Sequence, residues 1–458
     1  MLIRPRTYRA YTRKDLDRIP QIGRLPEEIR TDMKAVSAVL PFRVNGYVLD
    51  ELIDWSRVPD DPMFQLTFPQ PGMLAAPDLE LMRTLVRRGA SPSEIRLAVR
   101  EIQLRMNPHP AGQRELNVPR DDSGPLSGTQ HKYRETVLFF PSQGQTCHAY
   151  CTYCFRWAQF VGLEDFKFAA REAERLAAYV RRHPEVESVL FTGGDPLIMR
   201  ASALAAYIEP LLEIDHVDSI RIGSKAPAYW PYRFVTDPDA DELLALFERV
   251  RRAGKTLSLM AHYSHPIELS TPIAVGALQR IVETGAVVRT QAPLIRHVND
   301  DADTWAGMWR TQVRLGAVPY YMFVERDTGA REYFAVPLAE AHAIYNDAIR
   351  QCSGLERTAR GPSMSATPGK VVVQGIAEIG GERVFVLSFL QARDPSWVGR
   401  PFFARFDPEA VWLDELEPAF GEPQFFWEPG MRRIERSGRP PWLDGTPTSR
   451  AADGRAAG

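Results

Sequence analysis

Val137-Leu138-Phe139-Phe140 is a short apolar run that leads into the loop Cys147-His148-Ala149-Tyr150-Cys151-Thr152-Tyr153-Cys154. The run is the first of a series. Ser188-Val189-Leu190-Phe191, Ser219-Ile220-Arg221-Ile222, Leu257-Ser258-Leu259-Met260, Val287-Val288-Arg289-Thr290 and Tyr320-Tyr321-Met322-Phe323 read as five more strands. Residues 171–182, 202–212, 240–252, 273–284 and 304–315 between them read as helices. Six strand–helix alternations with short connections predict a parallel sheet with helices outside. The strands are too apolar to leave one face in water, which fits burial on both. Six units rather than eight predict an α/β fold, a partial (β/α)6 barrel over residues 131–330.

The loop holds three of the four cysteines, spaced by three residues and then by two. Thiolates are soft ligands, and their clustering in a cysteine-poor chain suggests a metal or cluster site. An iron–sulfur cluster on three thiolates keeps one iron open to a small molecule. The alternative is zinc, which needs a fourth ligand. Cys352 is remote in sequence, and His148 is wedged inside the loop.

The 458 residues suffice for a large core. Hydrophobic residues make up 44% and charged residues 25%, ordinary for a globular protein. A net charge of −2 gives no reason to expect a polyanionic partner such as nucleic acid. The start, Met1-Leu2-Ile3-Arg4-Pro5-Arg6, lacks the apolar run of a signal peptide, and no stretch reaches the length of a membrane span. The cysteine pattern is not a disulfide framework. Together these predict a soluble cytoplasmic protein, where thiols stay reduced.

Residues 1–130 read as a helical and irregular N-terminal region. Ser91-Pro92-Ser93-Glu94 offers an N-cap serine, a proline at the first helical position and a glutamate three residues on. The proline-rich stretch from Pro59 to Pro71 reads as an extended segment whose aromatic residues pack onto the next domain. Residues 331–436 read as a small α+β extension. It has a helix over 338–349, a strand at Lys370-Val371-Val372-Val373 and a hairpin partner over 383–390. Residues 437–458, rich in Pro, Gly and Arg, are expected to be a disordered tail.

In a parallel barrel, functional groups gather at the carboxyl ends of strands. After the first strand come Cys147, Cys151 and Cys154. After the second comes Thr192-Gly193-Gly194-Asp195-Pro196-Leu197, which alone is a weak turn signal. The third strand ends in Arg221-Ile222-Gly223-Ser224-Lys225-Ala226-Pro227, and the fourth in Ala261-His262-Tyr263-Ser264-His265-Pro266. The fifth carries Gln291-Ala292-Pro293-Leu294-Ile295-Arg296, then Val298-Asn299-Asp300. A single histidine at a strand end is more often a structural hydrogen-bonder than a catalyst.

The cysteine spacing and the glycine loop after strand two resemble the radical S-adenosylmethionine (SAM) superfamily. Its [4Fe-4S] cluster binds SAM at the open iron. The resemblance implies ligation by Cys147, Cys151 and Cys154. It places Gly193 and Gly194 near the methionyl end of SAM, with Asp195 on its ammonium. Ser224, His262 and Gln291 become further SAM contacts.

The Arg-Ile-Gly-Ser-Lys-Ala-Pro, His-Tyr-Ser-His-Pro, Val-Asn-Asp, Val-Pro-Tyr-Tyr and Pro-Gly-Lys runs are similar, in order, to the lysine 2,3-aminomutase family. So are Leu40-Pro41-Phe42 and Asp61-Pro62-Met63-Phe64-Gln65-Leu66, and the likeness spans roughly residues 35 to 395. It implies pyridoxal 5'-phosphate (PLP) on Lys370, in Thr367-Pro368-Gly369-Lys370. A lysine just before an apolar strand can be partly desolvated, which frees its amine; an ordinary surface lysine is the alternative. Lys132 and Arg134, beside His131, become PLP phosphate ligands, although Thr136 stands where the family has its arginine nearest that strand. Arg156 becomes the fork for the substrate carboxylate.

Lysine-specific members bind the distal ammonium with two aspartates. Asp300 matches one, and Gly361-Pro362-Ser363-Met364-Ser365-Ala366 offers no acid for the other. One carboxylate compensates a buried ammonium less well than two, so another α-amino acid is as open a substrate as lysine. No zinc is expected, since only Cys352 lies toward the C-terminus. The expected partners are a small amino acid, an electron donor such as flavodoxin or ferredoxin, and further copies of the chain, joined near Phe64. Two alternatives stand beside the aminomutase reading. One is a radical SAM enzyme that acts on a protein lysine or works without PLP. The other is a cluster- or zinc-stabilised binding protein.

Overall fold

The computed structural model describes residues 4–113, 116–161 and 173–443. One large sheet organises them. Its strands are β1 (Thr129–Tyr133), β2 (Thr136–Phe139), β3 (Ser188–Phe191), β4 (Ser219–Ser224), β5 (Thr256–His262), β6 (Val287–Leu294) and β7 (Val318–Val324). They continue as β8 (Arg360–Ser365), β9 (Gly369–Ile379), β10 (Glu382–Ala392) and β11 (Pro401–Arg405). Spatial order follows chain order throughout.

β2 to β7 are the six expected strands, paired in parallel by registers such as Phe139 with Phe191 and Phe191 with Ile222. The helices Ala201–Leu212, Ala240–Arg252, Pro272–Glu283 and Ala302–Arg314 alternate with them. The helix expected over 171–182 is described as Ala173–Arg181, and its first two residues lie outside the described set. This is a partial (β/α)6 barrel with extra strands added at both edges.

One addition was not visible in the apolar pattern. β8 pairs in parallel with β7 after the helix Leu338–Arg350, making a seventh parallel strand. Its residues Gly361-Pro362-Ser363-Met364 are buried but mostly small or polar, so no apolar run announces it. The expected hairpin is β9 and β10, joined at Gly380-Gly381, where φ is 60° and 82°. Two glycines suit a two-residue turn that needs positive φ at both positions.

The N-terminal region does not build its own core. One apolar cluster runs from Leu16 through the barrel to Ala359, and a second, from Val324 to Ile434, lies around the β9–β10 hairpin. The helix Pro92–Arg105 starts with the expected capping box: Glu94 N donates to Ser91 Oγ (3.3 Å) and Ser91 N to Glu94 Oε2 (2.9 Å).

The proline-rich stretch is corrected. It contains the helix Pro62–Thr67, because Asp61 caps it by accepting from Phe64 N (2.8 Å) and Pro62 takes the first helical position. Phe64 is fully buried and stacks on Phe68 at 4.8 Å, so it cannot join two copies of the chain.

Residues 437–443 also differ from the expected disordered tail. Ser437 closes the helix Glu428–Ser437, and Trp442 Nε1 donates to Arg393 O (2.9 Å) while its ring lies 4.5 Å from His131. Residues 444–458 lie outside the described set. Among the described residues no helix is long and apolar enough to cross a membrane.

Candidate active site

A single cavity opens at the carboxyl ends of β2–β7. Its walls include Cys147, Cys151 and Cys154, the glycine loop Gly193-Gly194-Asp195, Ser224, His262, Gln291, Arg156, Lys132 and Lys370. Nine of these twelve come from the carboxyl ends of strands or the loops that follow them.

The N-terminal region holds the cysteine loop in place. Tyr150 N donates to Arg43 O (2.8 Å), and Thr152 N and Oγ1 donate to Leu66 O and Gln65 O (2.9 and 2.8 Å). His148 O accepts from Tyr8 Oη (2.9 Å) and Asn45 Nδ2 (3.1 Å). Burial pushes all three thiols up, Cys154 to about 12, and neighbouring cysteines add to this at Cys147 and Cys154. Three thiolates could stand together here only with cationic compensation. Among the described residues no three His, Cys, Asp or Glu side chains converge as one ion requires. Three thiols flanking a shared cavity suit the wider spread of a multi-iron cluster.

The glycine loop packs on the cysteine loop. Gly193 has φ 137°, and a Cβ there would run into the Gln145 side chain; one on Gly194 would run into the Thr146 backbone. The glycines therefore let the two loops pack closely, and both stay on the cavity wall. The Asp195 carboxylate accepts from Ser224 Oγ (2.7 Å), Leu197 N (3.0 Å) and Lys225 N (2.9 Å), so it clamps the ends of β3 and β4 together. Burial raises it to about 6. Ser224 is engaged in the same clamp.

Lys225 and Glu268 form a buried ion pair behind this wall (2.6 Å). Glu268 Oε2 also accepts from Ser264 N (2.5 Å) and His265 N (3.1 Å). His262 Nε2 lies 2.9 Å from Gln291 Nε2. Burial first, and Lys225 second, drive His262 down to about 3, so its imidazole is neutral.

On the opposite side, Lys370 Nζ sits 4.0 Å above the Tyr321 ring and 5.4 Å from Phe323. Burial, then Arg221 and Arg360, lower it to about 7. Lys132 Nζ donates to Ala366 O (2.5 Å), and burial holds it well below the usual lysine range. A half-neutral amine on an aromatic floor, with Lys132 and Arg221 in its electrostatic reach, fits a phosphorylated aldehyde cofactor.

Arg156 lies with its guanidinium carbon 4.1 Å from the Phe140 ring centre and 5.2 Å from that of Phe155. It is 6% exposed, its Nη1 is buried without a hydrogen-bond partner, and burial lowers it to about 9.

Two expected residues are not brought here. Arg134 follows the end of β1 and is not on the cavity wall; its carbonyl faces His131 Nε2 (3.0 Å). Asp300 is off the wall as well. It faces Arg296 (3.7 Å), which is itself paired with Glu340 (2.7 Å). Cys352 is buried away from the cavity. Wall residues given no role from the sequence include Arg221, Tyr321, Glu325 and Arg326. The last two follow β7 directly, where the same strand-end rule would have found them.

Fold and cavity together define an α/β partial barrel with three cysteines gathered at its strand ends. Scanned against models of protein families, the chain matches none. A protein of Aquifex aeolicus (strain VF5), named "Putative L-lysine 2,3-aminomutase", is 31% identical over 402 residues, covering 88% of this chain and 94% of its own. The L-lysine 2,3-aminomutases of Clostridium subterminale and Bacillus subtilis (strain 168) are each 29% identical, over 244 and 234 residues. These matches cover 56% and 47% of the two relatives' lengths. The chain belongs to the lysine 2,3-aminomutase family, and so to the radical SAM isomerases. A radical SAM methyltransferase structure from Sphaerobacter thermophilus aligns with TM-score 0.37 and 16% identity over 66% of this chain and 96% of its own. That score carries no argument, and the fold rests on strand order.

Proposed function

We propose that this enzyme is a PLP-dependent 2,3-aminomutase of a free α-amino acid. The reaction moves the amino group from the α- to the β-carbon and one hydrogen from β to α, with no net oxidation. The observation that carries the reading is Lys370, aimed into the cavity that the three cysteines flank. When bound, the cluster supplies the electron that cleaves SAM to a radical, and PLP supplies a π-system that spreads an unpaired electron.

The chain's own residues supply position. Cys147, Cys151 and Cys154 would hold the cluster. Lys370, with an amine half-neutral near pH 7, would hold PLP over Tyr321, and Lys132 and Arg221 would face its phosphate. Arg156 would receive the substrate's α-carboxylate, giving its unpartnered Nη1 an acceptor. His262 and Gln291, neutral and mutually hydrogen-bonded, would offer SAM polar contacts without charge. Asp195 and Ser224 would keep the strand ends rigid beneath it. Burial of the wall excludes water from a reactive radical. A one-electron reductant such as flavodoxin or ferredoxin is the partner this requires.

The test is incubation of cluster-loaded protein with a reductant, SAM, PLP and a panel of α-amino acids. β-Isomers should appear by mass and retention time. Borohydride should fix PLP on Lys370; a label elsewhere, or none, overturns the PLP assignment.

A further inference from the structure

Resting on the aminomutase reading, we propose that the cavity selects an α-amino acid with an anionic side chain, such as aspartate or glutamate, and that Arg326 is the fork for its distal carboxylate. Arg326 lies two residues beyond β7, on the cavity wall. Its side chain is 18% exposed, and its Nε is buried with no hydrogen-bond partner. Asp327 pairs with it only as a loose ion pair, Oδ1 standing 3.8 Å from that Nε, beyond hydrogen-bond distance.

The Arg326 guanidinium carbon lies 5.2 Å from the Phe155 ring centre, the same distance as that of Arg156. The two forks thus lie at most twice that distance apart around one ring. That upper bound is within the reach of one small dicarboxylic amino acid placed between two guanidinium groups. Among the described residues Arg156 has no ion-pair partner, so the cavity offers two guanidinium groups that lack a hydrogen-bonded carboxylate.

The wall is poorly suited to an ammonium. Of its two carboxyls, Asp195 is fully engaged by Ser224, Leu197 and Lys225. Glu325, buried beside Arg326, has its carboxyl held well above the usual range, chiefly by burial, so it offers an ammonium little charge. Asp300 faces Arg296 instead of the cavity.

The test uses the PLP-loaded protein. L-Glutamate, L-aspartate, L-lysine and L-alanine are titrated while the cofactor absorbance and the heat of binding are followed. The proposal expects one acidic amino acid to bind at least about tenfold tighter than lysine or alanine. Arg326→Gln should weaken that ligand on the order of 30-fold, the usual scale for truncating one partner of a buried charge pair, and leave alanine unchanged. Arg326→Lys should recover part of the loss. Tighter binding of lysine overturns the proposal. So does an Arg326→Gln protein that retains the ranking but loses PLP, since Arg326 would then serve the phosphate. If the variants do not fold, the wild-type ranking alone decides. If no amino acid perturbs the cofactor, the aminomutase reading itself falls.

Discussion

Replacing Lys370 by methionine should stabilise the PLP-free protein, and more so at acidic than at basic pH. The folded lysine titrates near 7, against 10.5 for an ordinary one, chiefly because of burial. A folded pKa below the unfolded value means that protons favour the unfolded chain. The penalty is therefore complete below about pH 7 and vanishes as pH rises through the ordinary lysine range. At about 1.4 kcal/mol per pKa unit, the ceiling is roughly 5 kcal/mol. Water entering the cavity screens the charge and brings the expected figure to about 2 kcal/mol. Methionine keeps the length of the chain without the charge. Urea unfolding of both proteins at about pH 6 and about pH 10 should show the variant ahead by that amount at the lower pH, with the gap nearly closed at the higher. Equal differences at both pH values would refute the burial argument, as would a wild type more stable at pH 6.

Other outcomes follow from the same geometry. Glu268→Gln leaves the Lys225 ammonium buried without its 2.6 Å partner, and should cost about 3–5 kcal/mol by thermal or urea unfolding. Gly194→Ala forces a methyl into the Thr146 backbone; it should destabilise by about 1–3 kcal/mol and lower iron content after reconstitution. Cys151→Ala should lose the iron–sulfur absorbance and reductive SAM cleavage; retention of both would remove this loop from the cluster.

Much of the barrel was legible because its strands are buried on both faces. Burial on both sides selects continuous apolar runs, and Ser188-Val189-Leu190-Phe191 begins and ends where its run does. β8 was invisible for the opposite reason. It is held between β7 and β9, and Gly361, Pro362 and Ser363 are admitted by packing rather than by apolarity. The helix Pro62–Thr67 was misread as extended because proline density masked an Asp-Pro start that only the Asp61–Phe64 bond makes evident.

For the site, the cysteine spacing singled out the loop Cys147–Cys154, and the family resemblance pointed to His262, Gln291 and Lys370, all of which line one cavity. Motifs of this kind are local in the chain. Tertiary structure decided what each polar group already holds. Asp195 stands on the cavity wall and also ties β3 to β4 through Ser224 and two backbone amides. Asp300 looked like a substrate contact and faces Arg296. Arg326 belonged to no recognised motif, yet its guanidinium lies by the same Phe155 ring as that of Arg156. Hydrogen-bond satisfaction and charge pairing are settled between segments far apart in the chain, so a linear pattern identifies which groups exist but not which remain unpaired.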